Sequence, residues 1–495
     1  MTTSPHIPAL PTQTDVLIVG AGPAGLTLAA SLAQLGVDHV LIDRNTEVQP
    51  GSKAAAVQPR ALEYLERIDV AERLIQAGDR GRGFRLHDRE RTLLSASYDN
   101  LDTPYPYVLL VSQQTTENHL LLRLHELDGT VHRGHKFLGY SPDFPGVTAT
   151  IAGPDGVLRA VSARYLVGCD GVYSGVRTAA GIGFPGDAPQ QVVAIADVRL
   201  NPGAGDAIAK EDTTFFLSPK GMLLVSPLAG GQHRVVAPAP GTATPTAADV
   251  EQLLIDRGPR ADDVRVTEVV SASTYRVQER VAERFSEGPV FLVGDAAHTH
   301  SPAGGQGMNT GIQDAGNLAW KLHAVLTGLA PAGLLDSYHR ERHPVAVGLV
   351  GFTSQFARLA TLRDPAGARL RNNVLVAAAS APGFTDWITT KLAQLDLSYT
   401  SEPDRGEPRV GQRVSPRTVP PAGLHWTLAI PDDSSQDQHG VLAIRSVPSL
   451  PTPLLVRPDG YLAAHTVSTT AADVLDRLPD YLPLASAARH GIRVN

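Results

Sequence analysis

Two segments that lie far apart in this chain each join an apolar strand to a turn of small residues. The first turn has the spacing Gly20-x-Gly22-x-x-Gly25, and the second contains Gly294-Asp295. In the first, Gly20 permits a tight bend, Gly22 lets the backbone approach a pyrophosphate, and Gly25 lets the next helix pack on the strand. The N–H groups that begin this helix can bind phosphate oxygens. Alone, the first turn predicts a dinucleotide; together, the two predict FAD, whose adenosine and flavin ends need separate anchors.

An acidic residue completes the first turn. Asp43 ends the next predicted strand, where its carboxylate can accept hydrogen bonds from ribose hydroxyl groups and would repel a 2′-phosphate. This favours FAD or NAD over NADP. A strand over residues 15–20 and a helix over 23–36 supply the context that a bare glycine pattern lacks. A similar pattern at residues 181–186 has no such strand, and Pro185 opposes a following helix. We therefore interpret it as a loop.

The second turn offers side-chain and backbone groups for the other end of a cofactor. Asp295 could bind a polyol chain such as ribitol, or it could cap a helix. Glycines within residues 304–307 let backbone N–H groups approach a ring, where they and the helix dipole would stabilise negative charge on a reduced flavin. His298 and His300 could bind a metal, but no third ligand is spaced with them, so we predict no metal site. Residues 170–177 form a further strand-to-helix turn.

The surrounding elements must position these turns. A chain of 495 residues is too long for one core, so two or three domains are expected. Between residues 190 and 280, short alternating runs separated by glycine and proline turns predict a β-rich layer inserted between the two nucleotide-binding segments. Residues 309–327 have the periodicity of a long helix. Residues 400–424 read as a linker, and residues 425–490 as a small α/β unit.

Composition narrows the classes of partner. The net charge of −7 and the scattered basic residues give no indication of nucleic-acid or membrane binding. The single cysteine, Cys169, excludes an internal disulfide or dithiol centre and suits a cytoplasmic protein. The N-terminus has no features of a signal peptide. The uncharged stretch 16–37 could span a bilayer, but we interpret it as a buried strand, turn and helix.

The three turns together resemble those of the group A flavoprotein monooxygenases, the aromatic hydroxylases typified by para-hydroxybenzoate hydroxylase. The resemblance covers about residues 14–350, and the C-terminal unit resembles the thioredoxin-like domain of larger members that act on phenols and polyketide aromatics. It implies non-covalent FAD, NADPH or NADH as transient reductant, O2, and a small aromatic substrate. The predicted cofactor contacts are Gly20, Gly22, Pro23, Ala24, Gly25, Asp43, Arg44, Lys53, Gln113, Asp295, Pro302, Gly305, Gly307, Met308 and Asn309.

Three positions depart from the family pattern. Lys53 stands where the family often has an arginine, which lysine cannot replace in a bidentate pair. Ser301 replaces a frequent proline, and Gly316 replaces a frequent histidine. These departures leave the predicted cofactor contacts in place. They concern the details of how the flavin is reduced.

The expected fold class is α/β: a Rossmann-like FAD-binding domain, an inserted β-rich substrate domain and a thioredoxin-like C-terminal domain. The FAD-binding domain would occupy residues 1–185 and, with connecting helices, 281–400. The substrate domain would occupy residues 186–280 and the C-terminal domain residues 425–495. A homodimer is compatible with the sequence, which leaves the oligomeric state open.

The predicted activity is hydroxylation of a phenolic or polyketide-derived aromatic ring through a flavin C4a-hydroperoxide, with the protein positioning the ring and excluding water. Pro302 and the inserted sheet would line the substrate cavity, although the sheet residues could equally be core. The candidates in the sheet are Phe215, Phe216, Met222, Leu224 and Pro227. No catalytic base is assigned. Baeyer–Villiger-type oxygenation, dehydrogenation, and a binding protein that has lost FAD remain alternatives.

Overall fold

The computed structural model describes most of the chain. The described residues are 9–48, 56–89, 91–187, 191–204, 208, 212–259, 264–301, 305–360, 362, 364–400, 408–431, 438–439 and 442–465. The predictions made at Lys53, Pro302 and Gly304, and over residues 466–495 of the C-terminal unit, lie outside these ranges.

Strands and α-helices occur throughout the described chain. The strands are β1 (Gln13–Val19), β2 (His39–Asp43), β3 (Ala56–Val57), β4 (Asp79–Gly81), β5 (Gly83–Asp88), β6 (Arg91–Ser97), β7 (Val108–Leu110), β8 (Val131–Arg133), β9 (Lys136–Asp143), β10 (Gly146–Ala152), β11 (Leu158–Gly168), β12 (Gly186–Asp187), β13 (Val192–Leu200), β14 (Thr213–Ser218), β15 (Gly221–Leu228), β16 (Gln232–Ala239), β17 (Val266–Arg276), β18 (Glu279–Val281), β19 (Ser286–Glu287), β20 (Val290–Leu292), β21 (His298–Thr299), β22 (Trp426–Ile430), β23 (Gln438–His439), β24 (Leu442–Ser446), β25 (Leu454–Val456) and β26 (Leu462–His465). The helices are α1 (Pro23–Gln34), α2 (Pro59–Arg67), α3 (Ala71–Ala77), α4 (Gln113–Glu126), α5 (Gly175–Ala179), α6 (Ala247–Arg257), α7 (Gly307–Leu326), α8 (Asp336–Ala360), α9 (Pro365–Ala379) and α10 (Phe384–Leu392).

The central sheet has the order β19-β20-β11-β1-β2-β8, with β10 and β9 added beside β11. Strand β1 runs parallel to both of its neighbours, β2 and β11. Val16, Leu17 and Ile18 are fully buried, as expected for a parallel strand that is covered on both faces. Helix α1 follows β1 and packs against α7. The Rossmann-like core predicted from the first turn is therefore confirmed.

A seven-stranded sheet faces this core, with the order β17-β13-β16-β15-β14-β5-β6. The inserted segment supplies its first five strands, as the sequence predicts. The other two strands, β5 and β6, come from residues 83–97, ahead of the predicted insertion, because β14 pairs in parallel with β5. One face of the sheet packs against α6. The other face meets helices that follow α8 and, nearer its middle, borders a cavity.

The C-terminal unit is a mixed sheet with the order β23-β24-β22-β25-β26. Strand β22 is buried along its whole length, and its Trp426 packs edge-on against Trp320 of α7, with ring centroids 5.4 Å apart. Arg457 makes two hydrogen bonds of 2.8 Å to Glu341 of α8. Asn317 of α7 donates to Asp459 at 3.0 Å. The unit is thus joined to the core by buried polar contacts as well as by apolar ones.

One carboxylate connects the second turn to two helices. Asp314 of α7 is completely buried and accepts hydrogen bonds from Gly294 N at 3.3 Å, His298 Nε2 at 2.7 Å and Arg342 Nε of α8 at 2.6 Å. Burial raises the pKa of this carboxyl group, but Arg342 and His298 outweigh that effect and hold the pKa below its usual value. Asp314 is therefore an ionised centre around which the second turn is ordered.

The described helices give no membrane span, because none of them combines the necessary length with sufficient apolar character.

We expect the Asp314→Ala protein to be less stable than the wild type by about 3–5 kcal/mol, because removing one partner leaves the buried Arg342 uncompensated. The measurement is a urea titration followed by tryptophan fluorescence, which reports on Trp320 and Trp426. Asp155→Ala is the control, since Asp155 pairs with Arg159 at the surface and its loss should leave the midpoint nearly unchanged. Equal midpoints for the two variants would contradict the central role of Asp314.

Candidate functional site

A cavity of about 900 Å³ lies between the central sheet and the seven-stranded sheet. It brings together both turns that the sequence singled out, although they are far apart in the chain. Of the predicted cofactor contacts, the residues that line it are Gly20, Gly22, Pro23, Ala24, Asp43, Arg44, Gln113, Asp295, Gly305, Gly307 and Met308. Its shape is suited to a long ligand with a different anchor at each end.

The first turn is held by the strand next to it. Gly20 has a φ of +105° and donates its N–H to Ile42 O at 2.8 Å. Asp43 accepts from Ala21 N at 2.7 Å and from Asn45 N at 2.8 Å. Each carboxylate oxygen thus has one backbone donor and a remaining lone pair for a ligand hydroxyl group. Asp43 therefore both shapes the turn and presents acceptors to the cavity.

The glycines of the first turn have different surroundings. A Cβ atom at Gly25 would overlap the carbonyl oxygen of Gly20, so Gly25 serves the packing of α1 rather than the cavity. A Cβ atom at Gly22 would meet no protein atom within 4 Å. Gly22 also has an ordinary φ of −79°. The open space beside Gly22, at the start of α1, fits the phosphates of a dinucleotide.

The second turn places Asp295 at the cavity. Gly294 has a φ of +62°, and Asp295 lies inside the short 3-10 turn Gly294–Ala296, where its side chain is exposed to the cavity. The residue in the N-cap position of this turn is Val293, and α7 begins only at Gly307. Asp295 thus does not occupy the cap position of either helix, and its place suits the contact with a polyol that the sequence predicts.

The start of α7 presents backbone groups to the same cavity. Gly305, Gly307 and Met308 line it, but Asn309 points away. The Asn309 amide accepts from Gln58 N at 2.7 Å and donates to Ala56 O at 2.9 Å and Gly305 O at 2.7 Å. The side chain of Asn309 thus joins the start of α7 to the Ala56–Gln58 segment, and its predicted contact with the flavin stays a prediction.

The wall opposite α7 comes from the seven-stranded sheet. Of the predicted substrate residues, Phe215 and Leu224 line the cavity. Met222 packs in a cluster under α9 and α10, and Phe216 packs on the far face against α6. Because side chains alternate along β15, Pro227 belongs to the far face with Leu223 and Val225. The register of the sheet thus decides which of these residues reach the cavity, and their contact with a substrate stays a prediction.

Several polar residues at the cavity were not predicted as cavity contacts, among them Arg234, Tyr275 and His300. Arg234 of β16 is buried and pairs with Asp197 of β13 through Nε at 2.7 Å and Nη2 at 2.8 Å. Tyr275 of β17 and His300 also line the cavity. His300 Nδ1 lies 2.7 Å from Ser301 O, and burial lowers the pKa of its imidazole to about 4, so it is neutral near pH 7. An aspartate inside the apolar run of β13 was the one sequence signal for this group.

The cavity can hold a dinucleotide whose phosphates lie at the first turn. The ring at the other end of such a ligand could then lie against a second flat molecule. The phosphate-binding turn lies at one end, and the start of α7 faces the sheet at the other. Gln113 and Glu117, at the start of α4, are joined by a hydrogen bond of 2.8 Å and also line the cavity. Burial raises the pKa of Glu117. A ligand shielded by this sheet would be largely removed from water, which strengthens polar contacts within the cavity.

Comparison with known proteins agrees with this description. The FAD-binding domain family matches residues 13–353. A rifampicin monooxygenase of Streptomyces venezuelae is 31% identical over 96% of this chain and 99% of its own length. A 12-dehydrotetracycline 5-monooxygenase/anhydrotetracycline 6-monooxygenase of Streptomyces rimosus is 33% identical over 93% of this chain and 97% of its own. The solved structure of the OxyS anhydrotetracycline hydroxylase from Streptomyces rimosus is similar with a TM-score of 0.77 and 30% identity, covering 94% of this chain and 99% of that one.

We expect Gly22→Ala and Gly25→Ala to act on different properties. The Gly22→Ala apoprotein should melt close to the wild-type temperature but bind FAD more weakly, because the methyl group enters open space beside the phosphates. Gly25→Ala should lower the melting temperature of the apoprotein itself, since the methyl group would displace α1 from Gly20. Thermal melts of flavin-free protein and FAD titrations separate the two effects. Wild-type FAD affinity in Gly22→Ala would argue against the assigned phosphate site.

Asp295→Ala should lower FAD occupancy more than Asp170→Ala. A hydrogen bond to a charged group contributes about 1.5–3 kcal/mol, or roughly one to two decades of affinity. Asp170 instead accepts from Ser174 Oγ and Gly175 N at the start of α5, so its loss should act mainly on local stability. The measurement is the ratio of flavin to protein absorbance after dialysis. Unchanged occupancy in Asp295→Ala would refute its assignment to the ribitol chain.

Proposed function

Because the chain belongs to the family of FAD-dependent monooxygenases whose members act on aromatic and polyketide compounds, we propose that it hydroxylates a phenolic or polyketide-derived aromatic substrate with O2 and NAD(P)H. The observation that carries the proposal is that both turns and the seven-stranded sheet line one cavity. The family match over residues 13–353 and the similarity to whole monooxygenases support it.

The residues of the cavity have distinct tasks in this proposal. The turn from Gly20 and the start of α1 would hold the pyrophosphate, Asp43 the adenosine ribose, and Asp295 the ribitol chain. When bound, FAD would accept a hydride from NADPH or NADH and activate O2 for transfer of one oxygen atom to the ring. The backbone N–H groups at Gly307 and Met308 would stabilise negative charge beside the N-terminus of α7.

The protein side of the reaction is positioning and exclusion of water. Phe215 and Leu224 offer an apolar wall against which an aromatic ring can lie. Phe215 packs edge-on against Phe84, which also lines the cavity, and against Phe356, at centroid distances of 6.5 and 5.6 Å. A ring held between this wall and the flavin would be shielded from solvent, which suits oxygen transfer to carbon over loss of the activated oxygen to water.

The reductant would dock transiently. Among the described residues we find one nucleotide-binding βαβ unit. The glycines at residues 181–186 do not make a second one, because Gly186 begins the short strand β12, which pairs with β18, and no helix follows it. The cation expected to attract the nicotinamide nucleotide, Lys53, lies outside the described residues. We infer NADPH as the preferred donor, and we retain the cytoplasmic location and a possible homodimer as predictions.

The test uses the FAD-loaded protein and a panel of phenols, hydroxyanthraquinones, rifampicin and anhydrotetracycline. With NADPH, the true substrate should accelerate anaerobic flavin reduction by roughly tenfold or more, the size expected if substrate populates a minor reducible state. Under ¹⁸O2, the product should gain one labelled oxygen atom, and free FAD with NADPH is the control. A product that loses two hydrogen atoms would favour dehydrogenation, and a lactone would favour Baeyer–Villiger chemistry. Equal rates of flavin reduction with and without substrate would show that the substrate does not control the reduction step.

A further inference from the structure

A residue just beyond the end of α10 has a backbone conformation that its residue type disfavours. Gln394 has a φ of +59°, and its N–H donates to Lys391 O at 3.1 Å. Leu395 N donates to Thr390 O at 3.0 Å, and the two bonds together close a Schellman motif. Glycine is the usual residue at this position, because a Cβ atom is unfavourable there. A glutamine in its place points to a task for the side chain.

The side chain of Gln394 is buried against the first two turns of α7. Its Oε1 accepts from Gln313 Nε2 at 2.6 Å, and its Nε2 donates to Thr310 Oγ1 at 2.9 Å. Thr310 is completely buried and donates in turn to the carbonyl oxygen of Gln306, the residue before α7, at 3.0 Å. The Gln394 amide thus holds α7 with both its acceptor and its donor group.

A second hydrogen bond joins the same two helix ends. Gln306 is buried, and its Nε2 donates to the carbonyl oxygen of Leu392, the last residue of α10, at 2.8 Å. Gln306 and Leu392 both line the cavity. The end of α10 is therefore fixed to the start of α7 at the cavity through Gln306 and behind it through Gln394.

Helix α10 is itself attached to the seven-stranded sheet. Its apolar side packs against a cluster that contains Phe215 and Met222 of that sheet. The residues of α10 that do so are Phe384, Ile388 and Leu392. Because buried hydrogen bonds require a defined geometry, the two links at the end of α10 set the spacing between the sheet and the backbone at the start of α7.

We propose that Gln394 is a positioning residue that holds the start of α7 in place, so that the backbone N–H groups at Gly307 and Met308 stabilise the reduced form of bound FAD. Fixed dipoles stabilise a developing charge better than mobile ones, because they need no reorganisation when the charge appears. The inference rests on the proposed function for the identity of the cofactor. Gln394 acts through Thr310 and Gln313 rather than by contact with FAD.

The test removes the side chain and keeps the backbone conformation. Gln394→Gly places at a φ of +59° the residue that adopts it most readily. The potential of FAD in the holoprotein is measured by reductive titration against a reference dye. Reduced FAD should lose about tenfold of its binding preference over oxidised FAD, the effect of weakening one hydrogen bond to a charged group. For this two-electron couple the potential would fall by about 30 mV.

Hydrogen exchange gives a second readout that needs no cofactor. In Gln394→Gly, the backbone amides of residues 305–313 should exchange faster than in the wild type, with and without FAD, because the start of α7 has lost one of its two links to α10. A faster exchange at this segment shows directly that the side chain restrains it.

Asp128→Gly is the matched control. Asp128 also has a φ of +59°, at the end of α4, and Gly129 N donates to Leu124 O in the same motif. The side chain of Asp128 is exposed. The substitution thus relieves the same backbone strain at the end of a different helix. It should leave the flavin potential and the exchange of residues 305–313 at their wild-type values.

Thr310→Val tests the link from its other partner. Valine has nearly the shape of threonine but no hydroxyl group, so Gln394 Nε2 loses its acceptor. The flavin potential should shift in the same direction as in Gln394→Gly. The double variant should shift by less than the sum of the two single variants, because both changes remove one connection.

The outcomes keep the positioning role apart from the proposed reaction. A wild-type flavin potential in both Gln394→Gly and Thr310→Val would overturn the role, as would wild-type exchange in a variant that releases its FAD. A lower melting temperature with an unchanged potential would mean that Gln394 serves stability alone. Incorporation of ¹⁸O into an aromatic compound would in these cases still support the monooxygenase. Conversely, a potential that depends on Gln394 in a protein that oxygenates no aromatic compound would keep the role and refute the reaction.

Discussion

The buried carboxylate of Asp314 is the constraint on which the candidate site depends. It binds the backbone of Gly294 and the ring of His298, both in the second turn, and the guanidinium of Arg342 in α8. Arg342 continues outward to the phenol of Tyr399 at 3.2 Å. Because a buried charge is stable only with its partners in place, the second turn, α7 and α8 must assemble together. The position of Asp295 at the cavity is a result of that assembly.

Buried ion pairs also integrate the C-terminal sheet with the core, so it is not a separately packed module. Arg413 pairs with the buried Glu63 of α2, and Arg457 with Glu341 of α8. Lys321 of α7 also donates to Glu341, at 2.9 Å. Separation of the sheet from the core would break the Arg457–Glu341 pair and leave Glu341 with Lys321 as its cationic partner. The contacts of the described sheet with the core therefore contribute to the stability of both.

Local patterns in the sequence predict the parts of the site that are locally determined. The turn at Gly20, the carboxylate of Asp43 and the turn at Asp295 each follow a strand whose apolar run is visible in the sequence, and the structure places all three at the cavity. The pairing of β14 with β5 joins distant segments and leaves no comparable trace. For the same reason Met222 could not be distinguished from Leu224: which face of β15 borders the cavity depends on its register with β14 and β16.

Because β14 pairs in parallel with β5, the proposed substrate wall is formed by two separated stretches of chain. Residues 83–97 leave the cofactor domain to form one edge of the sheet and then return to it. Specificity therefore cannot be exchanged between relatives by transplanting residues 186–280 as a cassette. Such a transplant would pair a foreign β14 with the resident β5, and a mismatch there would expose a bare strand edge to aggregation. Divergence of substrate choice in this fold must proceed by coordinated change in both stretches.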